Sequence, residues 1–151
     1  ILSSCYHGVL NLEQTPYSDL KIIFQALTVP GINGENAIDI LLEKTEEGWC
    51  INGKFGNVYS ANPVVKKVLK AEDVEVVLLK LVQTKIASSP RWVMGLDGTT
   101  YIVKVENGLN VATYEWWSYL PKDWEAIGDL VRKLYEWVGY SGRIDELEED
   151  F

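Results

Sequence analysis

"TPYSDLKIIFQALTVPG", Thr15 to Gly31, decides what stands at the head of the fold. With a helical period, Pro16 takes the first helical position, Thr15 caps it, and Tyr17, Leu20, Ile23, Phe24 and Leu27 fall on one stripe. With a period of two, "KIIFQALTV" is a strand, and its β-branched residues favour that geometry. The spacing predicts a helix over 16–27, with the strand as the competing assignment. A helix here leaves the sheet to the hairpins that follow.

Beyond the loop "GINGEN", the segment "AIDILLEKTEEGWCINGKFGNVYS" alternates Ile38, Ile40 and Leu42 with Asp39, Leu41 and Glu43, which is the pattern of a β-hairpin. "NPVVKKVLK" adds a short third strand. A second helix is predicted over 71–87, with Val74, Val77, Leu78, Leu81 and Val82 on one stripe; Glu72 and Asp73 open it and Lys80 and Lys85 close it, as the backbone dipole prefers. Pro121 opens a third helix with Trp124, Ile127, Leu130, Val131, Leu134 and Val138 on one side, ended by Gly139. The fold class expected is α+β: an antiparallel sheet of four or five strands in two hairpins, with about three helices on one face. It forms a single domain over 1–151, with 1–15 irregular and 140–151 an acidic, solvated tail.

The second hairpin, "TTYIVKVENGLNVATYEWW", carries Asn107-Gly108 between two alternating runs. With those two residues at the centre of the turn, Val103 faces Ala112 and Tyr101 faces Tyr114. Tyr101, Val103, Val105, Ala112, Tyr114 and Trp116 then share the core face. Thr100, Lys104, Glu106, Thr113, Glu115 and Trp117 share the other, with Ile102, Leu109 and Val111 mixed in. Trp116 and Trp124 are therefore expected to pack, whereas Trp117 is the ring without a structural task. It is a candidate contact residue together with Glu115 beside it and with Trp92 in the connector "SSPRWVMG".

Composition narrows the chemistry. A chain of 151 residues, 47% apolar and 24% charged, can bury a core without metal or disulfide. Its formal net charge of −8 and pI near 4.7 repel polyphosphate, so nucleic acid is not expected as a partner, while the acidic surface suits solubility first, and also a basic partner protein or a cationic ligand. No apolar run is long enough to span a bilayer. Leu2-Ser3-Ser4-Cys5 reads like the end of a lipoprotein signal, with Cys5 as a lipid anchor in an exported protein. The competing reading is an ordinary segment of a cytoplasmic one. Cys5 and Cys50 lack metal-site spacing, and the sole histidine, His7, has no nucleophile motif around it. The glycines of "GINGENA" and "NGKFGN" form no phosphate loop. Carboxylate pairs such as Asp39 with Glu43, or Glu106 with Glu115, are the one remaining acid/base arrangement. Neither a cofactor nor a metal is expected.

Residues 97–134, "DGTTYIVKVENGLNVATYEWWSYLPKDWEAIGDLVRKL", resemble the C-terminal part of small uncharacterised bacterial proteins with a D-G-[ST]-x-Y strand, a G-[FL]-N-x-A-T-Y-x-W-W return strand and P-x-x-W opening a helix. Gly108, Asn110, Tyr114, Trp116, Trp117 and Trp124 are the matching positions. The resemblance implies a bacterial source and a hairpin plus helix as the shared unit, and carries no activity. In element order and low pI the chain also resembles the type III secretion chaperones, small acidic dimers that hold an extended segment of an effector.

The function expected is non-enzymatic protein binding by an acidic surface and the Trp117 and Trp92 region, in an immunity, inhibitor or chaperone-like role, with a homodimer compatible. The alternative is a small-ligand-binding domain of an exported lipoprotein, with Tyr and Trp side chains lining a cleft. A carboxylate enzyme is the third reading.

Overall fold

The computed structural model describes residues 19–28, 36–57, 64–88, 98–142 and 145–146. The chain runs β1 (Leu20–Thr28), β2 (Asn36–Thr45), β3 (Gly48–Asn57), β4 (Val64–Leu69), α1 (Ala71–Gln83), β5 (Thr99–Asn107), β6 (Asn110–Trp117), β7 (Tyr119–Leu120), a 3₁₀ turn at Lys122–Trp124, α2 (Glu125–Val138) and β8 (Asp145–Glu146). Six strands form one antiparallel sheet in the order β4-β3-β2-β1-β5-β6, and β7 and β8 make a separate parallel pair.

The opening segment is a strand, which corrects the helix expected over 16–27; its first residues, 15–18, lie outside the described ones. Leu20, Ile22, Phe24 and Ala26 are all buried while Lys21, Gln25 and Leu27 are exposed. Residues spaced by two cannot share one face of a helix, where each step turns about 100°, but they do share one face of a strand. Moreover, β1 is hydrogen-bonded on both sides, to β2 and β5, so its backbone groups are satisfied in the middle of the sheet. The sheet thus has six strands where four or five were expected, and two α-helices among the described residues where about three were.

Both hairpins occur. In the first, Glu46 and Glu47 form the turn and Thr45 pairs with Gly48. In the second the turn is one residue further on than expected: Asn107 pairs with Asn110, so Gly108 and Leu109 are central. Gly108 has φ +59° and Leu109 is not among the positive-φ residues, the arrangement of a turn with glycine first. Val103 therefore faces Tyr114 and Tyr101 faces Trp116. The pairing slips by two residues relative to the expected register, and because faces alternate with a period of two, each side chain keeps its expected face.

Helix α1 ends at Gln83, four residues before the expected Ala87, where Thr84 turns extended and returns its hydroxyl to the Lys80 carbonyl at 2.7 Å. Val74 and Leu78 are buried on it, but Val82 is 59% exposed, against expectation. By contrast, α2 buries the whole expected stripe, and adds Tyr135 and Trp137. Both helices lie on the side of Ile22, Phe24, Ile40, Leu42, Ile51 and Val103, forming one core. Trp124 is buried at the start of α2 and its indole N–H donates to the Ala87 carbonyl at 2.8 Å, tying the connector after α1 to this layer. Within the tail expected to be solvated, Asp145 and Glu146 pair with Tyr119 and Leu120.

Candidate functional site

Two surfaces follow from this layering. The first is a cleft at the end of the sheet where β1 finishes. Across the helix-covered face, one row of paired residues reads Phe55, Ile38, Ala26, Tyr101, Trp116. Ala26 is the small member between large neighbours, so the row dips at its centre. Above it, α2 stops at Gly139, with φ +73°. The Gly139 N–H donates to the Glu136 carbonyl at 3.2 Å and the Tyr140 N–H to the Tyr135 carbonyl at 2.9 Å, the paired bonds of a Schellman end. That left-handed step swings Tyr140 back against Tyr135, ring centroids 4.8 Å apart at 66°, and beside Phe55 at 5.4 Å. Tyr135 in turn meets Phe24 edge-on at 5.4 Å. Ala26, Ile38, Phe55, Tyr101, Tyr135 and Tyr140 wall a cavity of about 460 Å³ lined also by Thr28 and Thr99, whose hydroxyls are 2.9 Å apart. Burial pushes the Tyr135 phenol well above its ordinary range, and the neighbouring Tyr101 and Tyr140 phenols add to this. At neutral pH it is a protonated hydrogen-bond donor.

The second surface is the opposite face of the same sheet, which neither α1 nor α2 covers. Ile23 pairs with Leu41, and Leu27 pairs with Thr100, which in turn pairs with Trp117. Ile102, opposite Gln25, is the diagonal neighbour of both Ile23 and Leu27. Diagonal neighbours on a sheet stay within reach of long side chains, so Leu41, Ile23, Ile102, Leu27 and Trp117 make one apolar stripe across four strands. All five retain solvent exposure. Polar pairs flank the stripe: Lys21 with Glu43 at 3.6 Å, and Gln25 donating to Asp39 at 2.9 Å.

Among the residues singled out by sequence, Trp117 and Glu115 both lie on this uncovered face, Trp117 partly buried and Glu115 exposed opposite Ile102. Trp92 and Cys5 lie outside the described residues, as does His7. Cys50 is buried, with its sulfur 3.2 Å from the Thr45 hydroxyl. The carboxylate pairs do not converge. Asp39 bonds Gln25 and Glu43 meets Lys21, while Glu106 faces Val111, four residues along β5 from the Ile102 that faces Glu115. Among the described residues no three His, Cys, Asp or Glu side chains are placed to share a metal, and no helix is long and apolar enough to cross a membrane.

Sequence reading passed over the cleft tyrosines and the stripe residues Ile23, Leu41 and Leu27. A signal for the former was present: a helix-ending glycine followed at once by Tyr140, five residues after Tyr135, is the spacing that brings two such rings together. The stripe was hidden by the helical reading of β1, which put Ile23 and Leu27 on the buried side. Compared with protein-family models and with curated proteins, the chain matches none.

Proposed function

We propose that the chain is a non-catalytic protein-binding domain whose contact surface is the uncovered face of the six-stranded sheet, centred on Ile102 and Trp117. The stripe from Leu41 to Trp117 is the observation that supports it: an apolar band, rimmed by polar pairs and ending in a tryptophan, has the make-up of a protein contact. An immunity, inhibitor or chaperone-like role belongs to the same reading, as does the bacterial source implied by the resemblance of residues 97–134.

Charge refines the reading. On this face Lys21, Lys54, Lys66 and Lys104 stand against Asp39, Glu43, Glu106 and Glu115, so its own charges cancel. The net charge of −8 belongs to the rest of the surface and would steer a basic partner toward the domain, while the apolar stripe holds it. Added salt is then expected to slow association more than it speeds release.

A photo-cross-linking amino acid placed at Glu115, on the uncovered face, and separately at Glu136, on the exposed side of α2, tests this in the cells that make the protein. The expected result is a discrete protein adduct from position 115 and none from 136, lost when Ile102→Glu is added. Adducts of equal yield from both positions, or none from 115, would contradict it.

A further inference from the structure

We infer that the cleft between Ala26 and the Tyr135–Tyr140 pair is a binding site for a small, uncharged molecule bearing a flat ring. The site is distinct from the protein contact proposed above: its described lining includes no stripe residue, although Ala37, which lines it, pairs with Leu27 of the stripe.

Three properties of the cleft select this class of ligand. Its volume, about 460 Å³, is that of a small-molecule site. None of the described residues lining it carries a charge at neutral pH. An ion entering it would give up hydration with no opposite charge to replace the water, despite the attraction of the acidic surface for cations outside. Finally, the walls are rings in edge and tilted contact, Tyr135 with Tyr140 at 66° and Tyr140 with Phe55 at 48°. A further ring continues such packing at its preferred spacing.

Polar groups in the same cleft supply orientation. The Tyr135 phenol, held protonated by burial and by the neighbouring Tyr101 and Tyr140, can donate a hydrogen bond. The Thr28 and Thr99 hydroxyls, 2.9 Å apart, offer lone pairs as well as donors. A ring with one acceptor or N–H group therefore fits better than a plain hydrocarbon. Space for it exists because position 26 is an alanine in a row otherwise built from Phe55, Ile38, Tyr101 and Trp116. A larger residue there would occupy the same volume.

The test uses 5-fluoroindole as the neutral probe, 5-fluoroindole-2-carboxylate as its anion and choline as a cation, titrated into the full chain, with fluorine NMR for the first two and competition against 5-fluoroindole for choline. Saturable one-site binding of 5-fluoroindole is expected. The carboxylate should bind at least about tenfold more weakly, choline should fail to compete, and both Ala26→Leu and Tyr140→Ala should weaken the neutral probe about tenfold or more. Ile102→Glu should leave it unchanged, which separates this site from the protein contact. Thermal unfolding of each variant identifies any that fails to fold; if Ala26→Leu does, Tyr140→Ala decides. Absence of saturable binding, equal or tighter binding of either charged probe, or neutral-probe binding indifferent to a folded cleft variant would overturn the inference.

Discussion

Trp116 and Trp117 are adjacent in the chain and lie on opposite sides of the sheet. Trp116 is 5% exposed and stacks on Tyr101, ring centroids 5.2 Å apart, beneath the helices. Trp117 sits opposite Thr100 on the uncovered side and keeps part of its ring in water. The same division separates Ile22 from Ile23 and Leu42 from Leu41. Alternate positions of one strand thus meet different surroundings: one face is buried beneath two helices, while the other keeps solvent exposure at these positions.

The largest effect that sharpens this comparison is a matched pair in β1. Phe24→Ala removes a fully buried ring and should lower unfolding free energy by about 3–5 kcal/mol, whereas Ile23→Ala, on the partly exposed face, should cost about 1 kcal/mol or less. Urea unfolding measures both, and comparable losses would break the distinction between the faces.

Next in size is Gly139→Ala, which forces a side chain into the left-handed conformation that closes α2 and should cost about 1–2 kcal/mol in the same measurement. It should also loosen Tyr140 and weaken 5-fluoroindole, without touching the opposite face.

A third effect is one of pH. The Tyr135 phenol is held above its ordinary value by burial first and by Tyr101 and Tyr140 second. Above about pH 10 the unfolded chain releases this proton while the folded one keeps it. Tyr135 therefore contributes no pH dependence below about 10, and stability falls as pH rises past it. Urea midpoints between pH 9 and 11 should drop more steeply in the parent than in Tyr135→Phe; parallel slopes would contradict the burial of that phenol.

The smallest effect expected is at the rim. Lys21→Ala, which breaks the pair with Glu43 at 3.6 Å on the water-facing side, should change stability by about 1 kcal/mol or less. A larger loss would show that the uncovered face contributes to folding.

How far this was legible in sequence depends on periodicity. The stripe of helix α2 was readable, since it runs from Trp124 to Val138 and ends in a glycine, although the helix begins at Glu125 after a 3₁₀ turn instead of at Pro121 and also buries Tyr135 and Trp137; the sorting of β5 and β6 into faces was readable too, because a slip of two residues leaves alternation intact. β1 was misread for a physical reason: "LKIIFQALT" has apolar residues on both faces, so Leu20, Ile23, Phe24 and Leu27 satisfy a helical spacing as well as Leu20, Ile22, Phe24 and Ala26 satisfy a strand. Tertiary pairing on both edges decides between them, and no local window contains it. That misreading also concealed the stripe. Trp117 and Glu115 were placed on the right face by parity, but Ile23 and Leu41, their companions across the sheet, became neighbours only through pairings of distant segments. The cleft was less visible still. Its floor comes from the pairing of β1 with β2 and β5, and its wall from a turn beyond α2.

The most direct test of an open, contact-ready face is solvent paramagnetic relaxation of methyl signals in the free protein, using a soluble gadolinium chelate and Ile, Leu and Val labelling. Ile23, Leu41 and Ile102 are expected to relax strongly, and Ile22, Leu42 and Val103, which are essentially inaccessible, to be protected. Equal protection of both sets would mean that the face is already covered in the free chain and would contradict its assignment as the contact surface.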